Sequence, residues 1–154
     1  MIGRFLYKSS TENEYVLIVY HVYSNAILGT SIKNRQEATI TQAWIKLENI
    51  LSNCNESTNT CALDDETSFE LKNAMRKKHI TFQMVPPCNH RANFEERTIQ
   101  TFKKCFKAGI STLYSDFHIV EWDQLLPQAF LTLNSLQPPN VNPQLSVHVS
   151  FWTI

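Results

Sequence analysis

The spacing of apolar positions changes several times along the chain, and each change predicts an element. Residues 15–23 read YVLIVYHVY, rich in β-branched and aromatic side chains, and Ala26 to Ile32 form a second apolar run. Both predict strands, and Ser24-Asn25 between them suits a tight hairpin. The segment around Arg4 to Leu6 predicts the end of an earlier strand, with Glu12-Asn13-Glu14 as its polar turn. Three antiparallel strands result. From Arg35 to Ser52 the period becomes helical, with Ala43, Leu47, Ile50 and Leu51 on the face that would pack on the sheet. Asn53 to Thr60 has no period and predicts a polar loop.

The second half alternates more quickly. Cys61-Ala62-Leu63 is a short apolar run that predicts a brief strand ending at Asp64-Asp65-Glu66. Ser68 can cap a helix reaching about Lys78, with Leu71, Ala74 and Met75 inside. Ile80 to Val85 predicts a strand that Pro86-Pro87 ends, because proline cannot continue a central ladder. After a loop at Asn89 to Ala92, Asn93 is a candidate N-cap for a helix from Phe94 to about Ala108. Its apolar stripe is Ile99, Phe102 and Phe106. A last helix, Trp122 to Leu136, turns Trp122, Leu125, Leu126, Ala129, Leu133 and Leu136 inward. Pro127 must kink it or fall in its first turn. From Gln137 to Ile154 the chain carries three prolines and little period, which predicts an extended tail.

Composition changes this picture little, and charge changes it more. A chain of 154 residues with 43% apolar and 18% charged side chains can bury a sizeable core. Net charge is zero, so the whole chain points to no particular partner. Between Lys72 and Lys107, however, nine Lys or Arg face only Glu95 and Glu96, a local balance of +7. Such a segment favours a polyanionic substrate; the plain alternative is a solvated lysine-rich helix face. The four cysteines lack C-x-x-C spacing, which argues against a structural zinc site and for reduced thiols inside a cell. Asn55-Glu56-Ser57 matches a glycosylation acceptor, yet no signal peptide or apolar span accompanies it. The expected location is the nucleus or cytoplasm, with no secretion and no membrane partner.

The candidate chemistry lies in the two carboxylate clusters, Asp64-Asp65-Glu66 and Glu95-Glu96. In open α/β sheets, ligands gather at the C-terminal ends of strands, which is where Asp64 is predicted to fall. Clusters brought together by a strand–helix–strand crossover suit a divalent ion held for phosphodiester chemistry. Along the helix from Phe94 to about Ala108, Glu96 shares a face with Gln100, Lys103 and Lys107, whereas Glu95 lies near the apolar stripe. Glu96 therefore points to solvent or a ligand. The alternative is a first-turn acid favoured by the helix dipole.

The order of elements resembles the ribonuclease H-like fold of retroviral and retrotransposon integrases. LDDETS resembles the L-D-N-E-x-S motif of LTR-retrotransposon integrase cores. VPPCNHRANFEERTIQTFKKCFKAGI is similar to their V-P-P-H-x-H-R-x-N-x-x-E-R-x-I-x-T-F-K signature, and WDQLLPQAFLTLNSL to the helix that follows it. SNAILGTSIKNR resembles the second hairpin. The fold class so implied is α/β: a mixed sheet with an antiparallel N-terminal hairpin meander flanked by helices. Residues 1–136 would form the catalytic-core-like domain, and 137–154 an extended tail.

The resemblance also implies a site. Three carboxylates would hold two Mg²⁺ or Mn²⁺ ions for DNA strand transfer. By motif, Asp64 takes the second acid's place and Glu96 the third's, 31 residues lying between them. Arg91, Asn93, Arg97, Lys103 and Lys107 would contact DNA, and a homo-oligomer is compatible with the family. The first acid has no counterpart. It would stand just before Ile2-Gly3-Arg4-Phe5-Leu6, and no Asp precedes Asp64. Asp65 replaces a common Asn, Cys88 a usual His, and His21 and Tyr23 stand where similar proteins often carry Asp. The expectation is an integrase core, truncated or catalytically impaired. The alternatives are a non-catalytic nucleic-acid-binding module and a non-functional element remnant. A chain extended upstream by about one strand is expected to be more stable, because neighbouring backbone groups would regain ladder partners.

Overall fold

The apolar run at residues 15–23 does not stay extended to its end. The computed structural model describes residues 2–54, 58–63, 67–84, 92–113 and 116–136, the side chains of residues 2 and 92–96 excepted. In it β2 spans Tyr15–His21, and the chain turns over residues 22–25. Asn25 takes φ 56°, a left-handed conformation that Asn tolerates better than most residues. The His21 ring Nδ1 lies 2.7 Å from Ser24 Oγ and braces the turn. Val22 and Tyr23, expected in the strand, are exposed there.

β2 pairs antiparallel with β1 (Ile2–Arg4) and with β3 (Ala26–Ile32), giving the order β1-β2-β3. The register places Leu17 opposite Thr30 and Ile18 opposite Gly29. Side chains alternate across a strand, so this register divides the core in two. Leu17, Ala26, Leu28 and Ile32 face one side. Val16, Ile18 and Ile27 face the other.

Helix α1 (Glu37–Asn53) covers the first side with Ala43, Trp44, Leu47 and Leu51. These positions recur at three and four residues, as the sequence periodicity required. The same core takes in Leu63 of β4 (Thr60–Leu63), Leu71 and Met75 of α2 (Phe69–Lys77), and Ile80 just before β5 (Thr81–Met84). β4 and β5 run parallel, with Leu63 opposite Met84. Ser68 caps α2 as expected: its Oγ accepts the Leu71 N–H at 3.3 Å. Glu48 of α1, buried and charged, is paired by Lys78, which also donates to Asn49 at 2.6 Å.

The opposite face is covered by α3 (Ala92–Ser111) and α4 (Leu126–Ser135). The helix expected from Trp122 to Leu136 is divided. Ile119–Leu125 is a 3₁₀ segment, and the α-helix begins at Leu126 with Pro127 in its first turn. A first-turn proline gives up an N–H that has no helical partner there, so Pro127 fits without breaking a bond. Leu136, expected inside, follows the last helical residue and is 73% exposed. Phe102 and Phe106 are buried and stack at 5.3 Å between centroids, and Ile99 packs beside them.

Three polar contacts tie this layer together, none of them expected from sequence. Asn134, buried on α4, accepts the Ile27 N–H at 2.8 Å through Oδ1 and donates to the Ile27 carbonyl at 3.0 Å through Nδ2. The fully buried Trp122 donates its indole N–H to the Tyr7 carbonyl at 2.9 Å and stacks on Phe5. Asp123 accepts from Thr11 and, at 2.9 Å, from Asn13 Nδ2, which also donates to Ser31 Oγ. The β1–β2 loop is thereby fastened to the 3₁₀ segment.

Candidate functional site

The parallel pair β4–β5 and the helix α3 are the elements that carry the expected chemistry. Asp64 follows directly on Leu63, the last residue of β4 and a buried one. The Asp64-Asp65-Glu66 cluster itself lies outside the described residues, as does Arg91. Glu96 belongs to α3, with its side chain outside the described set. At 3.6 residues per turn it stands on the side of the helix that carries residues 100, 103 and 107. Asn93, expected as the cap, stands inside the first turn, since α3 begins at Ala92. The chain enters the helix one or two residues earlier than the Asn93 signal suggested.

The remaining expected residues, Arg97, Lys103 and Lys107, are described fully and are all exposed. Lys104 and Gln100 join them on the solvent side of α3, opposite the buried Phe102 and Phe106. None of these four cations has an ion-pair partner among the described residues. The helix thus presents four exposed cations on the side that carries the position of Glu96. Such a face lowers the energy of a phosphate backbone and gives no base preference.

A third acid is not supplied by the strands. β1, β2 and β3 carry no Asp or Glu. Among the described residues no group of three His, Cys, Asp or Glu could hold a metal ion. Among the described residues, Cys54, Cys61 and Cys105 form no disulfide. Also among the described residues, no helix is long and apolar enough to cross a membrane.

Asp123, away from the expected site, has a displaced titration. Burial raises its pKa, but hydrogen bonds from Thr11, Asn13 and Ser9 outweigh that, and the net direction is downward. These partners come from another part of the chain and hold the carboxylate ionised. Its place is between the β1–β2 loop and the 3₁₀ segment, where it fastens structure.

No protein-family model matches the chain, and no curated protein does. Solved structures do. The chain is similar to the catalytic core domain of BIV integrase, with a TM-score of 0.63 at 14% identity, over 80% of this chain and 76% of that one. It is similar to the HTLV-2 integrase catalytic core domain, solved in complex with magnesium in a trimeric form, with a TM-score of 0.64 at 17% identity, over 87% and 82% of the two chains. A chain of the simian T-cell lymphotropic virus intasome, solved in complex with PP2A regulatory subunit B56 gamma, superposes with a TM-score of 0.69 at 17% identity. There the match covers 89% of this chain and 47% of that one, so this chain spans about half the length of that relative. The fold is that of retroviral integrase catalytic cores: a mixed α/β, ribonuclease H-like arrangement.

Proposed function

We propose that the chain is an integrase-like core related to metal-dependent DNA strand transfer and DNA integration, built around Asp64 and Glu96. The observation that carries this reading is the coincidence of fold and position. On an integrase-core architecture, Asp64 directly follows the buried end of β4, and Glu96 lies on the α3 side that continues into exposed Lys103 and Lys107. Carboxylate oxygens are the donor class that Mg²⁺ and Mn²⁺ prefer, and the solved HTLV-2 core contains magnesium. Such ions, when bound, activate an attacking hydroxyl and stabilise the leaving oxygen. Arg91, Asn93, Arg97, Lys103 and Lys107 would position the phosphate backbone. DNA is the partner, and self-association is compatible with the trimeric form of that relative.

Two carboxylates are fewer than the chemistry wants. No Asp precedes Asp64, and β1 to β3 offer no acid in its stead. The chain alone is therefore proposed to be catalytically impaired. Nicking and strand transfer on labelled DNA with Mn²⁺ test this, beside a form extended upstream by a strand that carries an Asp. Activity only in the extended form is the expected result. Activity in the chain as it stands, lost on Glu96→Gln, would overturn the impaired reading.

A second reading is a nucleic-acid-binding module without catalysis, favoured by the exposed cations of α3, which have no ion-pair partner among the described residues. Salt-sensitive duplex binding that survives Asp64→Asn, with no turnover in either form, would select it. Nucleus or cytoplasm remains the proposed location.

A further inference from the structure

Two long stretches of the chain carry no Asp, Glu, Lys or Arg: residues 15–32, which hold β2, its turn and β3, and residues 124–154, which hold α4 and all that follows it. The fold brings the first stretch and the start of the second to one place. The Phe130 ring fills the space above Gly29, and four residues later Asn134 holds the Ile27 backbone. α4 therefore runs against the direction of β3. Four residues of helix, about 6 Å, match two residues of strand, about 7 Å. Helix and strand advance together towards the turn at residues 22–25, and Leu136, two residues beyond Asn134, reaches that end of the sheet. Leu136 is 73% exposed there, Tyr23 68% and Val22 63%. Tyr23 stands on a braced turn. Its ring lies 6.5 Å from that of His21, and the Tyr20 hydroxyl donates to Asn25 Oδ1 at 2.9 Å. Three large apolar side chains on one uncharged end of the sheet make a patch that calls for a cover.

We propose that residues 145–152 of the same chain cover this patch. They lie outside the described residues and are identified by sequence. Residues 145–151 read LSVHVSF, apolar and polar in strict alternation, followed by Trp152. In extended backbone that alternation sets Leu145, Val147, Val149 and Phe151 on one side. Such a side favours burial, and no charge in the segment opposes it. The tether selects the occupant. Residues 137–144, three of them proline, join Leu136, itself part of the patch, to Leu145. At about 3.1 Å per residue in the proline-rich extended form, eight residues reach about 25 Å, enough to return to the turn. A segment held at that range meets the patch at an effective concentration on the order of millimolar, above that of a second copy in dilute solution. Neither surface is charged, so no ion loses its water when they meet, and a charged partner finds no counter-ion there. The proposal does not rest on metal or DNA at Asp64 and Glu96.

Trp152 reports the contact, because Trp44 and Trp122 are buried in the core. Acrylamide quenching of tryptophan fluorescence is measured on the full chain, and Trp152→Phe identifies the component that belongs to Trp152. In the wild type that component should be shielded relative to free tryptophan amide. Tyr23→Ser with Leu136→Ser should bring it to the free value, and so should Phe151→Ser. Tyr23 and Leu136 are exposed, so their substitution leaves the core intact, and an unchanged far-ultraviolet circular dichroism spectrum would confirm it. Phe151→Ser, beyond every described element, decides the matter should the double variant misfold. Val120→Ser, at an exposed apolar residue of the 3₁₀ segment, should leave the shielding as it is. Chymotrypsin reads the same equilibrium. Its cleavage after Phe151 or Trp152, followed by intact mass, should be at least about tenfold faster in Tyr23→Ser with Leu136→Ser, equivalent to roughly 1.4 kcal/mol of lost docking. Shielding should not depend on protein concentration, since the contact is made within one chain. Three results would overturn the proposal: Trp152 as quenchable in the wild type as the free amide, shielding that survives the substitutions, or shielding that disappears on dilution, which would put a second copy of the chain on the patch.

Discussion

Asn134→Ala removes the buried amide that holds the backbone of Ile27. β3 is the outer strand of its sheet, and Ile27 is 1% exposed. Its N–H and C=O point to the one side chain that satisfies both, at 2.8 and 3.0 Å. In the variant, a buried donor and a buried acceptor lose their partner together. Each unsatisfied group costs about 1–3 kcal/mol, so the pair should cost about 3 kcal/mol once partial relaxation is allowed for. For a domain of this size, that corresponds to a fall in Tm of roughly 5–12 °C. Urea unfolding followed by circular dichroism measures the loss, with equal slopes confirming that the unfolded state is unchanged. Asn134→Asp is the sharper comparison. It keeps the acceptor for the Ile27 N–H but sets a carboxylate oxygen against the Ile27 carbonyl, so it should destabilise at least as much as alanine. A loss below about 0.5 kcal/mol in Asn134→Ala would refute the reasoning, for the amide would then be idle or replaced by water.

The remaining predictions concern the same layer. Asp123 has a folded pKa below its unfolded value, so the stability it contributes is present above the unfolded pKa and is lost as pH falls through the folded one. Asp123→Asn should therefore be less stable than wild type near pH 7, and the gap should close below about pH 4; a gap independent of pH would show that hydrogen bonding alone, and not charge, is at work. Gly29→Ala should destabilise by about 1–3 kcal/mol in urea unfolding, because a Cβ there would lie 2.2 Å from Phe130 Cζ and 2.9 Å from the Leu17 carbonyl oxygen. Since the ring can swing but the carbonyl cannot, Gly29→Ala combined with Phe130→Leu should recover only part of the loss, and full recovery would mean that the ring alone sets the limit.

The order of elements was legible because each element writes its own period. The apolar stripe Ile99, Phe102, Phe106 marks α3 at helical spacing, and Ser68 marks the start of α2 with an oxygen that caps it. The expected α/β arrangement holds for the same reason: local periodicity and turn chemistry place elements independently of what they pack against. The ends were less secure. β2 stops at His21 although Val22 and Tyr23 have strand character, because the hairpin needs four turn residues. Leu136 continues an apolar stripe on paper, yet the helix stops one residue earlier and leaves it outside.

The candidate site was legible in a different way. Asp64 and Glu96 stand out through motif resemblance, and helical arithmetic places Glu96 with Lys103 and Lys107. Periodicity alone could not choose between a ligand and an exposed first-turn acid, because both sit on the same face.

By itself, then, the sequence determined which segments extend, which coil, where acid and base collect along the chain, and that no Asp precedes Asp64. Tertiary structure alone decided what closes the layers. Asn134 meets Ile27 across 107 residues, Asp123 meets Thr11 across 112, and Phe130 fills the space that Gly29 leaves. These contacts depend on strand register and on the angle at which α4 crosses β3. Neither quantity has a period, so no local pattern along the chain records it.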